Sequence, residues 1–347
     1  MKKIFISCVT VILVFLLLSI GTACKPQTGE ANEATVASET TVANEAAVAS
    51  DDISIYIIGY AQEGGFNQLI NNGSTQAATD FSVNVVYTAP LGSGGTVGMI
   101  EQINSAIAAK PDGMGINYMD KSMEAATKAA LDAGIQVVLY NNNRFEESAG
   151  GATTDPQITS LAYVGQNETT AGSIVVKNLI PLMPNKGKVV ILNPFPEAAV
   201  LSIRRDSCAK ALEANGYTWE ELVVPGFDAG GTKGLFSAYY EANKDIVGMI
   251  GLGNISTNPA VQFCQEKGLK IPAAAYEIDA EAIKQVQDGY PYVLVTHQGF
   301  LESYLTVMNL MLNLRYGFQP VNIDTGTMVV TKDNVDKMVR LVNDKRG

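Results

Sequence analysis

The stretch Lys110-Pro-Asp-Gly-Met-Gly-Ile-Asn-Tyr-Met-Asp120, with Ala133-Gly-Ile-Gln-Val-Val-Leu-Tyr-Asn141 after a helical interval, decides the architecture. Gly113–Asn117 and Gln136–Tyr140 are short, nearly continuous apolar runs bounded by Gly, Pro and Asp, and Asp120 to Ala133 between them reads as a helix. Runs without polar alternation belong to strands buried on both faces, which means a parallel sheet with helices on either side.

Working outward, the same alternation fills the chain. Ile53–Ile58 and Val83–Tyr87 read as strands, with helices at Gly64–Asp80 and about Gly95–Lys110. It restarts with strands near Leu161–Val164, Lys188–Leu192, Glu221–Val224, Ile246–Gly251 and Ile271–Ala275, and helices at Thr169–Leu182, Val200–Asn215, Lys233–Asn243 and Asn258–Lys267. A strand at Tyr292–Thr296 and a long helix from Leu301 to Tyr316 close the pattern. A stretch of this length exceeds one small core. The expected fold is α/β, with two doubly wound, Rossmann-like lobes built on parallel sheets.

The N-terminus is of another kind. Met1-Lys2-Lys3, an apolar run from Ile4 to Ile20 and the small residues Gly21-Thr22-Ala23 form an export signal. Cys24 after that triplet resembles the bacterial lipobox, in which the cysteine is lipidated; Gly21 stands where the lipobox usually has Leu. A secretory signal cleaved near Ala23, or an uncleaved anchor, is the other reading. Lys25 to Ser50 carries no aromatic and no apolar periodicity, so it cannot recover its ordering entropy and reads as a spacer.

The net charge of −11 and the lack of a basic patch argue against a nucleic-acid partner. Of the four cysteines, Cys208 and Cys264 lie beyond the signal region; they could pair or remain buried free thiols. His297 is the only histidine, so metal and catalytic-triad readings lack partners, and no cofactor is expected. Leu91-Gly-Ser-Gly-Gly-Thr-Val-Gly98 lacks the Lys-Ser/Thr of a phosphate loop and reads as a loop and helix start. Asn72-Gly-Ser74 and Asn167-Glu-Thr169 match a glycosylation sequon, but a lipobox points to a bacterium. Trp219 beside Glu220 and Glu221 reads as an edge residue.

Ligands of open α/β sheets bind outside the carboxyl ends of the strands. The segments placed there are Tyr60–Asn67, Tyr140–Asn143, Asn193–Arg205, Gly226–Asp228, Gly253-Asn254, Tyr276-Glu277 and His297-Gln298. They are rich in amides, aromatics and charges. Amides match sugar hydroxyls and rings match the C–H face of a sugar. Taken singly, Phe66 and Phe227 read as core, Arg205 as a surface charge and Glu277 as a helix cap; their joint placement raises the pocket reading.

The Lys110–Asp120 and Ala133–Asn141 blocks, with Tyr163-Val-Gly-Gln166, Arg205 after Pro194–Ala199, and Gly226-Phe-Asp228, resemble periplasmic sugar-binding proteins of the ribose- and galactose-binding type. The resemblance runs from Ile53 to about Lys332 and implies the type I periplasmic-binding-protein fold, with a three-segment hinge near Ser160–Val164, Gln298 and Asp324. The expected division is 1–23 signal peptide, 24–51 lipidated cysteine and tether, 52–161 plus 299–323 first lobe, and 162–298 plus 324–347 second lobe.

Carried over by position, the pocket takes Glu63, Phe66, Asn67, Tyr140 and Asn141 from the first lobe, and Arg205, Phe227, Asn254, Glu277 and Gln298 from the second and the hinge. Tyr140-Asn141 stands where ribose binders carry Asp-Arg, which argues against ribose itself. The resemblance implies a monomeric, non-enzymatic, membrane-anchored binding protein outside the cytoplasm that hands a sugar to the permease of an ABC transporter. A sensory binder presenting a sugar or signal to a receptor is the alternative; an exported enzyme lacks a nucleophile–base pair, and a repressor would need a basic DNA-binding head.

Overall fold

The computed structural model describes residues 52–92, 95–142, 153–196 and 198–346. The signal, Cys24 and the tether, together with most of the loop expected at Ser148–Thr154, lie outside the described residues.

The elements run β1 (Ser54–Ile58), α1 (Gly65–Phe81), β2 (Asn84–Thr88), α2 (Thr96–Ala109), β3 (Gly113–Asn117), α3 (Glu124–Asp132), β4 (Gln136–Tyr140), α4 (Pro156–Thr159) and β5 (Tyr163–Gly165). They continue with α5 (Glu168–Leu179), β6 (Lys188–Asn193), α6 (Ala199–Ala214), β7 (Thr218–Val223), α7 (Ala229–Ala242), β8 (Ile246–Gly251), α8 (Asn254–Glu266), β9 (Ala273–Tyr276), α9 (Ala280–Gln287) and β10 (Tyr292–Thr296). Last come α10 (Gly299–Tyr316), β11 (Ile323–Asp324), β12 (Met328–Val330) and α11 (Val335–Asn343).

Two six-stranded sheets result, ordered β11-β5-β4-β3-β1-β2 and β12-β10-β9-β8-β6-β7. The first is parallel throughout; the second is parallel except for β12, which pairs antiparallel with β10. In each lobe the strand order reverses beside the first strand, between β1 and β3 and between β6 and β8, and such a switch point opens a crevice at the strands' carboxyl ends. Each sheet buries apolar residues on both faces. Ile57, Val138 and Tyr140 face one core of the first lobe and Ile58, Ile116 and Leu139 the other, which is why β3 and β4 read as unbroken apolar runs.

Helix α10 starts after the second lobe's β10 but packs on the first lobe, against α1 and the β4 side of the sheet. A Cβ at Gly73 of α1 would lie 2.1 Å from the Phe300 carbonyl oxygen, so glycine there permits the close crossing of α1 and α10.

The first lobe ends later than expected. Strand β5, assigned above to the second lobe, pairs with β4, and Asp324 pairs beside it through β11. The chain therefore crosses after Gly165, at His297-Gln298 and between Asp324 and Met328. Side chains lace these crossings together: Gln166 Nε2 donates to the Gly326 carbonyl (3.2 Å) and Thr327 Oγ1 (2.6 Å), and Thr325 Oγ1 donates to the His297 carbonyl (2.9 Å). Cys208 and Cys264 are free and buried, and Trp219 sits on the edge strand β7. Among the described residues, no helix is long and apolar enough to cross a membrane.

Candidate ligand-binding cleft

The carboxyl ends of both sheets face one cavity, with about 820 Å3 of space continuous with solvent. Its walls come from the segments after β1, β3 and β4 in the first lobe and after β6, β7, β8, β9 and β10 in the second.

Six of the ten expected pocket residues line it: Phe66, Asn67, Asn141, Phe227, Asn254 and Glu277. Asn141 and Glu277 follow the third strand from the edge in their respective sheets, each after a fully buried tyrosine, Tyr140 or Tyr276. Both have positive φ, 62° and 73°. Few non-glycine residues hold this conformation, and it recurs at functional sites, where it re-aims a side chain. Here it turns Asn141 and Glu277 out of the sheet toward the cavity.

The other four sit elsewhere. Tyr140 is buried in the first lobe's core, its hydroxyl donating to the Ile58 carbonyl at 2.9 Å, because strand alternation directs it into the face beneath α10. Glu63 is exposed just before α1, and only its carbonyl is engaged, accepting from Asn67 Nδ2 at 2.6 Å. Gln298, at φ 64°, donates its side-chain amide to the Thr325 carbonyl and belongs to the hinge. Arg205 points outward to Asp206 (2.7 Å) and Glu221 (3.3 Å).

Arg204 takes the place expected of Arg205. It is 2% exposed and lines the cavity. Its Nε and Nη2 donate to the two Glu168 oxygens at 3.0 and 2.5 Å, its Nη1 to the Leu252 carbonyl at 2.8 Å, and its guanidinium carbon lies 4.1 Å from the centre of the Tyr276 ring. Burial works against its charge; the Glu168 carboxylate more than offsets this and holds its pKa above the ordinary arginine value.

His297, in the strand-end segment His297-Gln298 but without partners for a metal or triad role, also lines the cavity. Its Nδ1 lies 2.9 Å from Glu302 Oε1, its Nε2 lies 3.7 Å from Glu277 Oε1, and the Phe66 ring is 4.9 Å away, centre to centre. Burial alone would depress its pKa, but the charge of Glu302, its hydrogen bond to that carboxylate and the nearby Glu277 carboxylate lift it to about 9. Glu302, fully buried on α10, is itself pushed above the usual carboxylate range by burial, against the pull of His297.

An asparagine cluster completes the first-lobe wall. Asn117 Oδ1 accepts from the side-chain amides of Asn141 (3.4 Å) and Asn142. Two carbonyl oxygens, Asn67 Oδ1 and Asn142 Oδ1, are buried without a protein partner. Buried polar atoms are nearly always paired, so these two oxygens, on residues that line the cavity, lack the partner that such atoms usually have. Among the described residues, no group of His, Cys, Asp and Glu is placed to hold a metal ion.

Two wound lobes on a three-segment hinge, with amides, rings and one buried arginine facing a shared cleft, define a two-lobed small-molecule binding protein. The chain matches the periplasmic binding protein domain over residues 55–317 and belongs to that family. No curated protein matches it significantly. Among solved structures it is similar to the periplasmic sugar-binding protein of an ABC sugar transporter from Legionella pneumophila (21% identity over 78% of this chain and 98% of that one, TM-score 0.71). It is also similar to a carbohydrate transporter protein from Acidothermus cellulolyticus 11B in complex with myo-inositol (21% identity, 85% and 100% covered, TM-score 0.73). A third is the ABC transporter solute-binding protein from Agrobacterium vitis bound with α-D-tagatopyranose (20% identity, 82% and 96% covered, TM-score 0.72). At these identities the likeness is one of fold.

Proposed function

We propose that this protein is the extracytoplasmic solute-binding component of an ABC importer, taking a monosaccharide or similar small polyol into the cleft by hinge closure. The observation that carries the reading is the pair of buried, unpartnered acceptors, Asn67 Oδ1 and Asn142 Oδ1, on residues that line the same cavity as the Phe66 and Phe227 rings. A polyol supplies hydroxyl donors to the first and a C–H face to the second. Family membership and the myo-inositol and tagatopyranose bound by two fold neighbours support the same class.

A screen of pentoses, hexoses and inositols by thermal unfolding tests it. A cognate ligand at a hundredfold excess over Kd stabilises the folded state by about 2.7 kcal/mol, and small-angle scattering should show compaction as the lobes close. Binding with an unchanged radius of gyration would count against hinge closure, and no response to any polyol against the ligand class.

The signal residues 1–23 and Cys24 support a mature protein that begins at a lipidated cysteine, is tethered through residues 25–51 to the outer face of the membrane, and meets its permease as a monomer. Two acyl chains suffice for stable anchoring. Cys24→Ser should move the protein from the membrane fraction to soluble or unprocessed material; mature-sized, membrane-bound C24S protein would contradict lipidation.

A further inference from the structure

The two lobes contribute unlike surfaces to the cleft. The first supplies four asparagines, Asn67, Asn117, Asn141 and Asn142, beside Tyr60, Phe66 and Met119. Across from them, the segment after β6, the first turn of α6, the segment after β7 and the start of α8 supply Phe195, Ala198, Val200, Leu201, Phe227 and Ile255. None of these six side chains can donate or accept a hydrogen bond. The second lobe's polar side chains at the cavity are Arg204, Asn254, Glu277 and, at the crossing, His297, and three of them are already engaged: Arg204 with Glu168, Asn254 Nδ2 with Asp279 at 2.5 Å, and His297 Nδ1 with Glu302 at 2.9 Å.

The apolar wall reaches the cleft mouth and meets the first lobe there. Phe227 packs on Phe195 at 5.2 Å between ring centres, and Phe195 lies 6.4 Å from Tyr60 of the first lobe. Phe227 is 54% exposed, so its ring is open to the cleft.

On the reading that the ligand is a monosaccharide, we infer that it carries a deoxygenated flank: the hydroxylated edge meets the asparagines and Glu277, and a methyl or methylene group meets the Val200–Phe227 wall. A fully hydroxylated hexose would bring its exocyclic hydroxyl against side chains with nothing to pair it. Burying an unpaired hydroxyl is penalised far more than burying a methyl.

The test is calorimetric titration of the full-length mature protein with sugars matched except at carbon 6: D-fucose against D-galactose, L-rhamnose against L-mannose, and 6-deoxy-D-glucose against D-glucose. In whichever pair binds most tightly, the deoxy member should bind at least about tenfold better. Val200→Thr, which puts a hydroxyl on the wall at almost unchanged volume, should narrow that ratio by strengthening the hydroxylated member. Equal or tighter binding of the hydroxylated sugar overturns the inference and leaves the proposed function standing. A ratio unaltered in V200T protein overturns the assignment of this wall, and failure of every monosaccharide and polyol to bind overturns both.

Discussion

Arg204→Ala is expected to destabilise the protein by about 3–5 kcal/mol, the cost of removing one partner from a buried ion pair, while Arg205→Ala should stay below about 1 kcal/mol. The two residues are adjacent in sequence and lie on different faces of α6. Removing Arg204 leaves the Glu168 carboxylate, 2% exposed, without its two donors, deprives the Leu252 carbonyl of its partner and empties the space over the Tyr276 ring. Removing Arg205 releases two partners that water can serve, since Asp206 is exposed and Glu221 partly so. Domains are typically stable by only 5–15 kcal/mol, so urea denaturation should separate the two variants clearly. Glu168→Gln combined with Arg204→Met should recover much of the loss, because discharging both partners leaves no buried uncompensated charge. Equal midpoints for R204A and R205A would contradict the burial of the pair.

The signal that ranks these arginines was present in the sequence. Leu201, Arg204, Cys208 and Leu212 recur at helical spacing and are all buried, so Arg204 sits on the inward stripe of α6. The resemblance points to Arg205, which lies off that stripe and is partly exposed. The two-lobed parallel architecture was legible because continuous apolar strands bounded by Gly, Pro and Asp have few other uses. Two features were not legible. Strand β5 is three residues long, with nothing in its composition to assign it to one sheet, and β12 is a three-residue antiparallel addition whose pairing with β10 depends on where the last crossing delivers the chain. In the cleft, the segments placed at the strand ends leave out Asn117, the last residue of β3, although Tyr140, the last residue of β4, is among them. The pleat position of Tyr140 sends it into the core. Strand-end position locates a site to within a residue or two; alternation and the positive φ at Asn141 and Glu277 decide which side chain enters it.

The buried cluster at the second crossing sets an expected pH dependence. His297 stands where the chain passes from β10 to α10, with Glu302 of the first lobe on one ring nitrogen and Glu277 of the second facing the other. Burial opposes its charge, yet the two carboxylates lift its pKa from the ordinary 6.5 to about 9. A group raised in the folded state contributes stability that is fully present below its unfolded pKa and is lost as pH rises through its folded pKa. Unfolding free energy should therefore fall between about pH 6.5 and 9 by on the order of 3 kcal/mol, at 1.36 kcal/mol per pH unit. Glu302, also raised by burial, acts in the same direction from its ordinary 4.5 upward. Urea midpoints measured from pH 6 to 10 on wild-type and His297→Gln protein check this. The wild type should lose stability across the window, and H297Q, which cannot take up the proton, should be less stable at pH 6.5 and flatter above it. A wild-type profile as flat as that of H297Q would mean that His297 is neutral in the folded protein. The carboxylates of Glu277 and Glu302 would then face each other across the hinge without a cation between them.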